Sequence, residues 1–598
     1  MYNGVLYVAL LLCTILLGGA TWYNCMIPLL LFFVCLIKDK RNISGNVNTL
    51  IPIVLLVTGF ISIVLTQGDK QNALYEYEQI LCFILAFFVG LGIKDEDNIF
   101  KYVLVCATAT AGVGLLSYCN LIRIEDFTFN DRYLLRLQSF LKYANTTAVL
   151  LGCGYFSSLK LFDTYQKKGL TYISSCTLIA FYLTVSKAAI PLFIVFGTLL
   201  FVVQRKYTRC FVLQNVVCMI GTLLIILAGF KQYQTVKILL VIITVLIGGG
   251  IVQSEMLKKI LPDKRLMIVW LIGFGVFLSL GCLLLVSRDI NIFETLFKRF
   301  DYMSDAFVLL RQYWLTGIGP GAWKFYQYSV QTTQYSVTEI HNSWLQIWLE
   351  FGIIFFVTIF ASFIKTTVYC IRRKMYVYAA IILFILTHSL VDINLSFGII
   401  LMISGLIIGF ALRDAKEIRF GKPIVCGTLT LCLVLFGYMI CECTVRSLFE
   451  QAYLKKNYDR AITYSTVLEK ICPYDSNLQI SIAALTHNDT EQRIVRAIAL
   501  SPLDPSLLQT DIEYSIAQKN PSVLEKIDRL TQMAKHQESI YAKAKEYLIQ
   551  ALERKICTRK EYDEYLSKIE NQRNQYGVID RNNLLEEIVK DQEGDLLK

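Results

Sequence analysis

Runs of about 17–20 apolar residues, each the length of a helix that crosses a hydrocarbon layer of about 30 Å, recur from the N-terminus to about residue 440. They lie near 4–21, 23–37, 49–66, 79–93, 102–121, 143–160, 170–186 and 188–204. Others lie near 210–229, 235–253, 266–286, 344–364, 376–391, 396–412 and 423–440, about fifteen in all. Those at 23–37, 170–186 and 376–391 are short for a crossing. In lipid the backbone must satisfy its own polar groups, so such runs predict helices. Composition agrees, with 55% hydrophobic and 18% charged residues among 598 and a mean hydropathy of +0.51. The expected fold class is therefore all-α. A polytopic transmembrane bundle fills residues 1–445 and a soluble helical domain fills 446–598.

Basic residues orient the bundle. With a cytoplasmic N-terminus and fifteen spans, the inside loops carry Lys38/Lys40/Arg41, Lys160/Lys167/Lys168 and Arg205/Lys206/Arg209. They also carry Lys258/Lys259/Lys264/Arg265, Arg372/Arg373/Lys374 and Arg413/Lys416/Arg419/Lys422. The opposite loops are poorer in Lys and Arg, apart from 122–142. The large loop 287–343, and everything after about 441, then lies outside the cytoplasm. The net charge of +11 is largely this orientation signal and asks for no nucleic-acid partner. Gly18-Gly19-Ala20 resembles a signal-peptide cleavage site, but no Lys or Arg precedes Lys38. Residues 4–37 are therefore read as a retained hairpin.

The 18 cysteines fall mostly inside apolar runs, where they act as small hydrophobes, and none has zinc spacing. Whether Cys472 and Cys557 pair is left open. After Cys443 the chain turns charged and helical. Ala452 and Ala461 suit a helix pair, Pro473 follows as a breaker, and Ala497 and Pro505 give a weak echo near the 34-residue tetratricopeptide period. The signature Trp, Gly and Phe positions of that repeat are poorly kept, so a tetratricopeptide-like tail and a generic helical bundle both fit. Residues 521–575 read as further amphipathic helices, and the last twenty as frayed.

One stretch is not explained by membrane crossing, DAFVLLRQYWLTGIGPGAWKFYQYSVQTTQYSVTEIHNSWLQIWLEFGIIFF, from Asp305 to Phe356. A Gly-rich turn leads through a polar, aromatic run to His341-Asn342, where an apolar helix begins. Asn342, Gln346 and Glu350 recur every four residues and so share one face of that helix. Glu350 falls about 12 Å along the axis from Asn342. A lone carboxylate at that depth costs roughly 2.5–3.5 kcal/mol unless paired.

Other polar residues fall on the same outer side. Arg132 and Arg136 flank an apolar run that opens near Asn145, Lys187 sits at a hairpin, and His388 and Asp392 lie four apart at a helix end. Arg299 and Arg311 lie in the large loop, and the chain has only four histidines. Singly, each has an ordinary reading: arginines snorkelling to headgroups, a solvated lysine, a polar helix end. Together they place cations where the positive-inside rule disfavours them. An anionic ligand at the outer leaflet is the simplest reason, and a lipid-linked pyrophosphate suits Arg and Lys donors. His341 is then a candidate base for an acceptor hydroxyl or a donor-binding residue, and Asp392 a candidate to orient His388. Asp95-Glu96-Asp97 mimics a sugar-nucleotide metal motif but falls in a cytoplasmic loop, so no metal is expected.

The stretch GIGPGAW, with Gln331, Tyr335 and HNSWLQIWLEFG, resembles the signature of the bacterial O-antigen ligase/polymerase family. RLQSFLKYANTTA at 136–148, SKAA at 186–189 and HSLVDINLSFG at 388–398 resemble its secondary motifs in the same order. The resemblance covers about residues 75–412. It implies a metal-independent, cofactor-free glycosyltransferase of the bacterial plasma membrane, moving a glycan from undecaprenyl diphosphate to a hydroxyl at the outer face. The acceptor is a glycan, a lipid or a wall polymer. Arg136 would match the family's outer-face arginine, His341 its loop histidine, and Arg299 or Arg311 its loop arginine. Lys187 stands where many members have Arg, Gln138-Ser139 replaces a Gly-containing turn, and Phe355 replaces a Gly. Catalysis would rest on His341 and Arg136. Lys187, Arg299, Arg311, Asn342, His388 and Asp392 would bind substrate, with Gln346 and Glu350 tying the helix into the bundle. Two other classes remain open: a polysaccharide or lipid transporter or flippase, and a membrane anchor whose helical tail recruits protein partners.

Overall fold

The computed structural model describes residues 2–38, 45–66, 68–131, 134–205, 208–254, scattered residues between 266 and 279, 292–419, 421–487 and 489–576. Lys40, Arg41, Arg132, Lys206, the basic loop at 258–265, most of the run at 266–286 and the last twenty residues lie outside them. The described chain is helical apart from one hairpin, Thr128–Asp131 with Leu134–Leu137, and an isolated bridge between Asn46 and Glu417. Among the described residues, seven helices are long and apolar enough to cross a membrane: Val47–Leu65, Lys70–Gly92, Asp97–Tyr118, Phe211–Phe230, Gln234–Gln253, Ile353–Arg372 and Gly421–Leu454. Shorter apolar helices fill most of the remaining predicted runs, at Gly4–Ile15, Tyr23–Leu36, Gly169–Leu183, Ala189–Val203, Tyr376–His388 and Gly398–Ala411.

Two of these runs form the centre. Residues 80–90 of the Ile80–Gly92 helix are all buried, as is every residue of Gly398–Ala411; a helix apolar all round belongs in an interior. Small residues let the two backbones touch. A Cβ at Gly405 or Gly409 would strike the carbonyl oxygens of Phe83 or Phe87, and one at Gly90 that of Leu406, which is the close packing that small residues four apart allow. Peripheral helices are different. Leu239, Ile242, Ile243, Leu246 and Ile247 stand exposed along Gln234–Gln253, as do Val57, Phe60, Ile61 and Val64 along Leu50–Leu65. The Ala144–Tyr165 helix, expected as a span, is buried throughout from Thr146 to Leu159 and carries Thr146, Thr147, Ser157 and Ser158 inward.

The predicted run 344–364 is not one helix. It breaks at Gly352 (φ +82°) into Ser343–Phe351 and Ile353–Arg372. The Gly-rich turn causes the break: Ile318 N–H donates to the Leu349 carbonyl (2.8 Å), Gly319 N–H to that of Glu350 (3.0 Å), and Ile353 N–H to that of Trp314 (3.0 Å). A Cβ at Gly352 would strike the Leu315 carbonyl, so glycine is required on both counts. The large loop is itself folded. The helices Ile292–Tyr313 and Trp323–Val330 and the extended segment to Ile340 enclose Ala306, Trp323, Tyr335 and Ile340 in their own core.

Gly421–Leu454 runs unbroken through the expected boundary at 445. Seven helices follow, from Tyr458–Ile471 to Arg559–Tyr576, each packed on its successor. Ala461 and Ala497 are both fully buried, but the two prolines of the sequence echo are not equivalent. Pro473 follows a helix end, whereas Pro505 occupies the first turn of Pro505–Ala517. Cys472 and Cys557 are both free thiols. The tail is keyed to the bundle: Arg446 donates to Tyr75 Oη (2.8 Å) and Asp475 (2.7 Å), and Ser476 donates to Asp69 (2.6 Å).

Candidate functional site

Arg136 reaches the site from the hairpin. The strands Thr128–Asp131 and Leu134–Leu137 pair antiparallel, and their register sets Phe129 opposite Arg136. Arg136 Nε donates to the Thr184 carbonyl (2.9 Å) and Nη2 to Asn145 Oδ1 (2.8 Å). Asn145 lies in the first turn of Ala144–Tyr165, and its Nδ2 donates to Asp392 Oδ2 (2.5 Å). Tyr143 Oη donates to Asp392 Oδ1 (2.6 Å). Asp392, in the turn between Tyr376–His388 and Gly398–Ala411, is fully buried.

Two groups from the large loop meet the same carboxylate. Arg299 Nη2 lies 3.5 Å from Asp392 Oδ2, and Nη1 donates to the Val391 carbonyl (2.7 Å). His341 Nδ1 lies 3.7 Å from Asp392 Oδ1, an ion-pair distance too long for a hydrogen bond. Burial alone would raise the Asp392 carboxyl. His341, the Arg299 guanidinium, His388 and the Tyr143 hydroxyl outweigh it and hold Asp392 well below the usual carboxylate range. His341 itself adopts φ +58°, a left-handed conformation uncommon for residues other than glycine. Ser343 locks the segment in place: its N–H donates to the carbonyls of Ser389 (2.9 Å) and Asp392 (3.1 Å), and its Oγ to the latter (2.7 Å).

Arg136, Arg299, His341 and Asp392 therefore share one cluster, linked by Asn145 and Tyr143. Several sequence expectations change. Asn342 is not on the polar face but is the N-cap of Ser343–Phe351, its side chain accepting from Leu345 N–H (3.0 Å), because the helix starts one residue later. Gln346 and Glu350 do share a face. Gln346 accepts from Ile340 N–H (2.9 Å) and donates to Glu350 Oε1 (3.2 Å), which also accepts from Trp323 N–H (3.4 Å). The loop thus supplies partners for the carboxylate.

Asp392 does not orient His388. The helix ends at His388, so residue 392 leaves its face, and His388 Nδ1 pairs with Asn394 Nδ2 (2.7 Å) instead. Asn394 Oδ1 accepts from Thr146 (3.2 Å), which makes Nδ2 the donor and puts the His388 ring proton on Nε2. Arg311 is exposed in the last turn of Ile292–Tyr313, about 18 Å along the axis from Arg299. Of the two loop arginines, Arg299 is the one at the cluster. Lys187 is exposed on the turn whose Thr184 carbonyl holds Arg136. Asp95 accepts from Asp97 N–H (3.1 Å) just before the Asp97–Tyr118 helix, and Glu96 pairs with Lys160 (3.0 Å). No group of three or more His, Cys, Asp or Glu that could hold a metal ion occurs among the described residues.

Next to the cluster opens a cavity of about 140 Å³ lined by Glu76, Lys324, Glu339, Ser343, Gln346 and Glu350, among others. Glu339 and Ser343 flank His341 in sequence, so the cavity and the cluster share a wall. Glu339 accepts from the Ser396 hydroxyl. Burial pushes its carboxyl up to about 8, against the pull of that hydrogen bond and with help from Glu76 and Glu350.

Tyr143 carries no candidate role in the sequence reading, and Asn145 appears there only as a marker of the run's start. The signal was polar side chains at the opening of an otherwise apolar helix. No family model matches the chain, and no curated protein or solved structure does.

Proposed function

We propose that the chain is a multi-pass glycosyltransferase of a bacterial plasma membrane. In this reading it transfers a glycan from undecaprenyl diphosphate to an acceptor hydroxyl at the outer face, in polymerising or ligating a surface polysaccharide. The observation that carries this is the convergence of Arg136, Arg299 and His341, from three separate segments, on Asp392 and Asn145. Exposed apolar faces on the outer helices offer a wall of the kind a polyprenyl tail needs.

In the proposed step, the acceptor oxygen attacks the anomeric carbon, the bond from that carbon to the phosphate oxygen breaks, and undecaprenyl diphosphate leaves with the bonding electrons. Arg136 and Arg299 are fixed positive charges for the diphosphate as it gains charge, a preorganised stabilisation. The acceptor proton goes to His341. Asp392 beside Nδ1 favours the tautomer protonated there and leaves the Nε2 lone pair free, a role worth about 10²–10⁴-fold. The acidic cavity next to His341 is where the acceptor hydroxyl enters in this scheme. Its buried carboxyl groups, raised at Glu339 by burial, suit sugar hydroxyls as hydrogen-bonding partners. Consecutive helix packing in the tail favours a tetratricopeptide-like, partner-binding domain over an unrelated bundle.

Replacing His341 with Ala in the producing strain, with surface glycan length scored, tests the reading. Loss of long product at normal protein level is the expected result. Unchanged product removes catalysis from His341.

A further inference from the structure

The C-terminal domain does not hang free of the site. Gln537, the N-cap of Glu538–Glu553, is buried, and its Nε2 donates to Gln331 Oε1 (3.2 Å) and to the Tyr335 carbonyl. Gln331 Nε2 donates to that same carbonyl (2.9 Å). One peptide oxygen of the loop is thus held by two amides, one from the loop and one from the tail.

Tyr335 passes the constraint inward. Its hydroxyl donates to Asp305 (2.7 Å), and Asp305 also accepts from Thr332 N–H (3.0 Å). Its ring packs 4.5 Å from that of Tyr302, which lies 6.1 Å from the His341 ring. Tyr302 and Asp305 belong to the helix that carries Arg299. The apolar contacts interlock in the same place: Tyr328 of the loop packs against the tail's core, and Leu503 of the tail packs against the loop's core.

From this geometry we propose that Gln537 is a positioning residue. The C-terminal domain holds the segment carrying His341 in register with the Arg299 helix, and is a working part of the site as well as any platform for partners. The link to turnover rests on the transferase reading; the link to loop order does not. The carbonyl keeps Gln331 when Gln537 is lost, so the loop loosens without unfolding. An isosteric carboxylate at 537 fills the same space but cannot donate to either oxygen.

The test uses the full chain in lipid nanodiscs, with Gln537→Ala and Gln537→Glu compared by amide hydrogen exchange, and the same variants scored for surface glycan. Both variants are expected to speed exchange over residues 331–342 about tenfold, the scale of one lost hydrogen-bond pair. Exchange in Ile80–Gly92 and Gly398–Ala411 stays unchanged, and glycan output falls. A Gln537→Glu protein with wild-type exchange in the loop overturns the proposal, because packing alone would then suffice. Faster loop exchange with unchanged glycan keeps the clamp on the loop and overturns its link to turnover.

Discussion

The Arg299–Asp392 pair allows a quantitative test of how the cluster is held. At 3.5 Å, two unit charges attract by about 5 kcal/mol at an effective dielectric of about 20. Arg299 keeps 21% of its side chain exposed while Asp392 keeps none, so solvent screening on one side reduces the net coupling to roughly 1–3 kcal/mol. Asp392→Asn alone should cost more, about 3–5 kcal/mol. It strands the arginine and points an NH₂ at one of the two donors, Tyr143 or Asn145. A double-mutant cycle of Asp392→Asn and Arg299→Ala, followed by denaturant titration in mixed micelles at pH 7, reads the coupling. The pH matters because the folded carboxyl is held below its usual range. Its stabilisation is complete above the unfolded value of about 4 and is lost as pH falls from there towards the folded value. Additivity of the two substitutions within about 0.5 kcal/mol would refute the pairing.

Other consequences are simpler to check. Asn342→Ala removes the cap of Ser343–Phe351 and should destabilise the protein by about 1 kcal/mol, seen as a lowered denaturation midpoint. Glu339 is held near 8 in the folded protein, so it binds its proton more tightly folded than unfolded. Its contribution is complete below about pH 4 and is lost as pH rises towards about 8; Glu339→Gln should flatten that part of the melting-temperature profile between pH 5 and 8. Gly409→Val pushes the two central helices apart at the Phe87 carbonyl and should cost at least about 1–3 kcal/mol. Gly427→Val, with nothing within 4 Å of its Cβ position, should be neutral when measured alongside it.

The helices were legible because apolar length is a strong and local signal. The cations against the positive-inside bias, with their polar companions, were legible only as a set: Arg136, Lys187, Arg299, Arg311, His341, His388 and Asp392. Which of them meet was not, since Arg299 reaches Asp392 while Arg311 and Lys187 stand exposed. What the sequence hides is where a run stops. Trp344 to Ile364 reads as one apolar run, but Gly352 is a break because the Gly317–Gly321 turn, distant in sequence, clasps its backbone. His388 and Asp392 have the spacing of a helical pair, and the helix simply ends first. The hairpin carrying Arg136 is only four residues a strand, too short for alternation to stand out. Ser139 marks a similar limit. It adopts φ +53°, the conformation glycine favours, and its side chain donates to the Thr110 carbonyl (2.8 Å). The tail's grip on Tyr335 joins residues 202 apart, which no periodicity can suggest.

The central claim is that the arginines beside Asp392 hold a lipid diphosphate. Binding of undecaprenyl diphosphate to the purified full-length protein in nanodiscs addresses it directly, with wild type, Arg136→Ala and Arg299→Ala compared. Saturable binding to wild type that weakens about tenfold or more in each variant, as loss of a charge-assisted contact of 1.5–3 kcal/mol requires, is the predicted result. Equal affinity in all three proteins, or no binding to any, would contradict it.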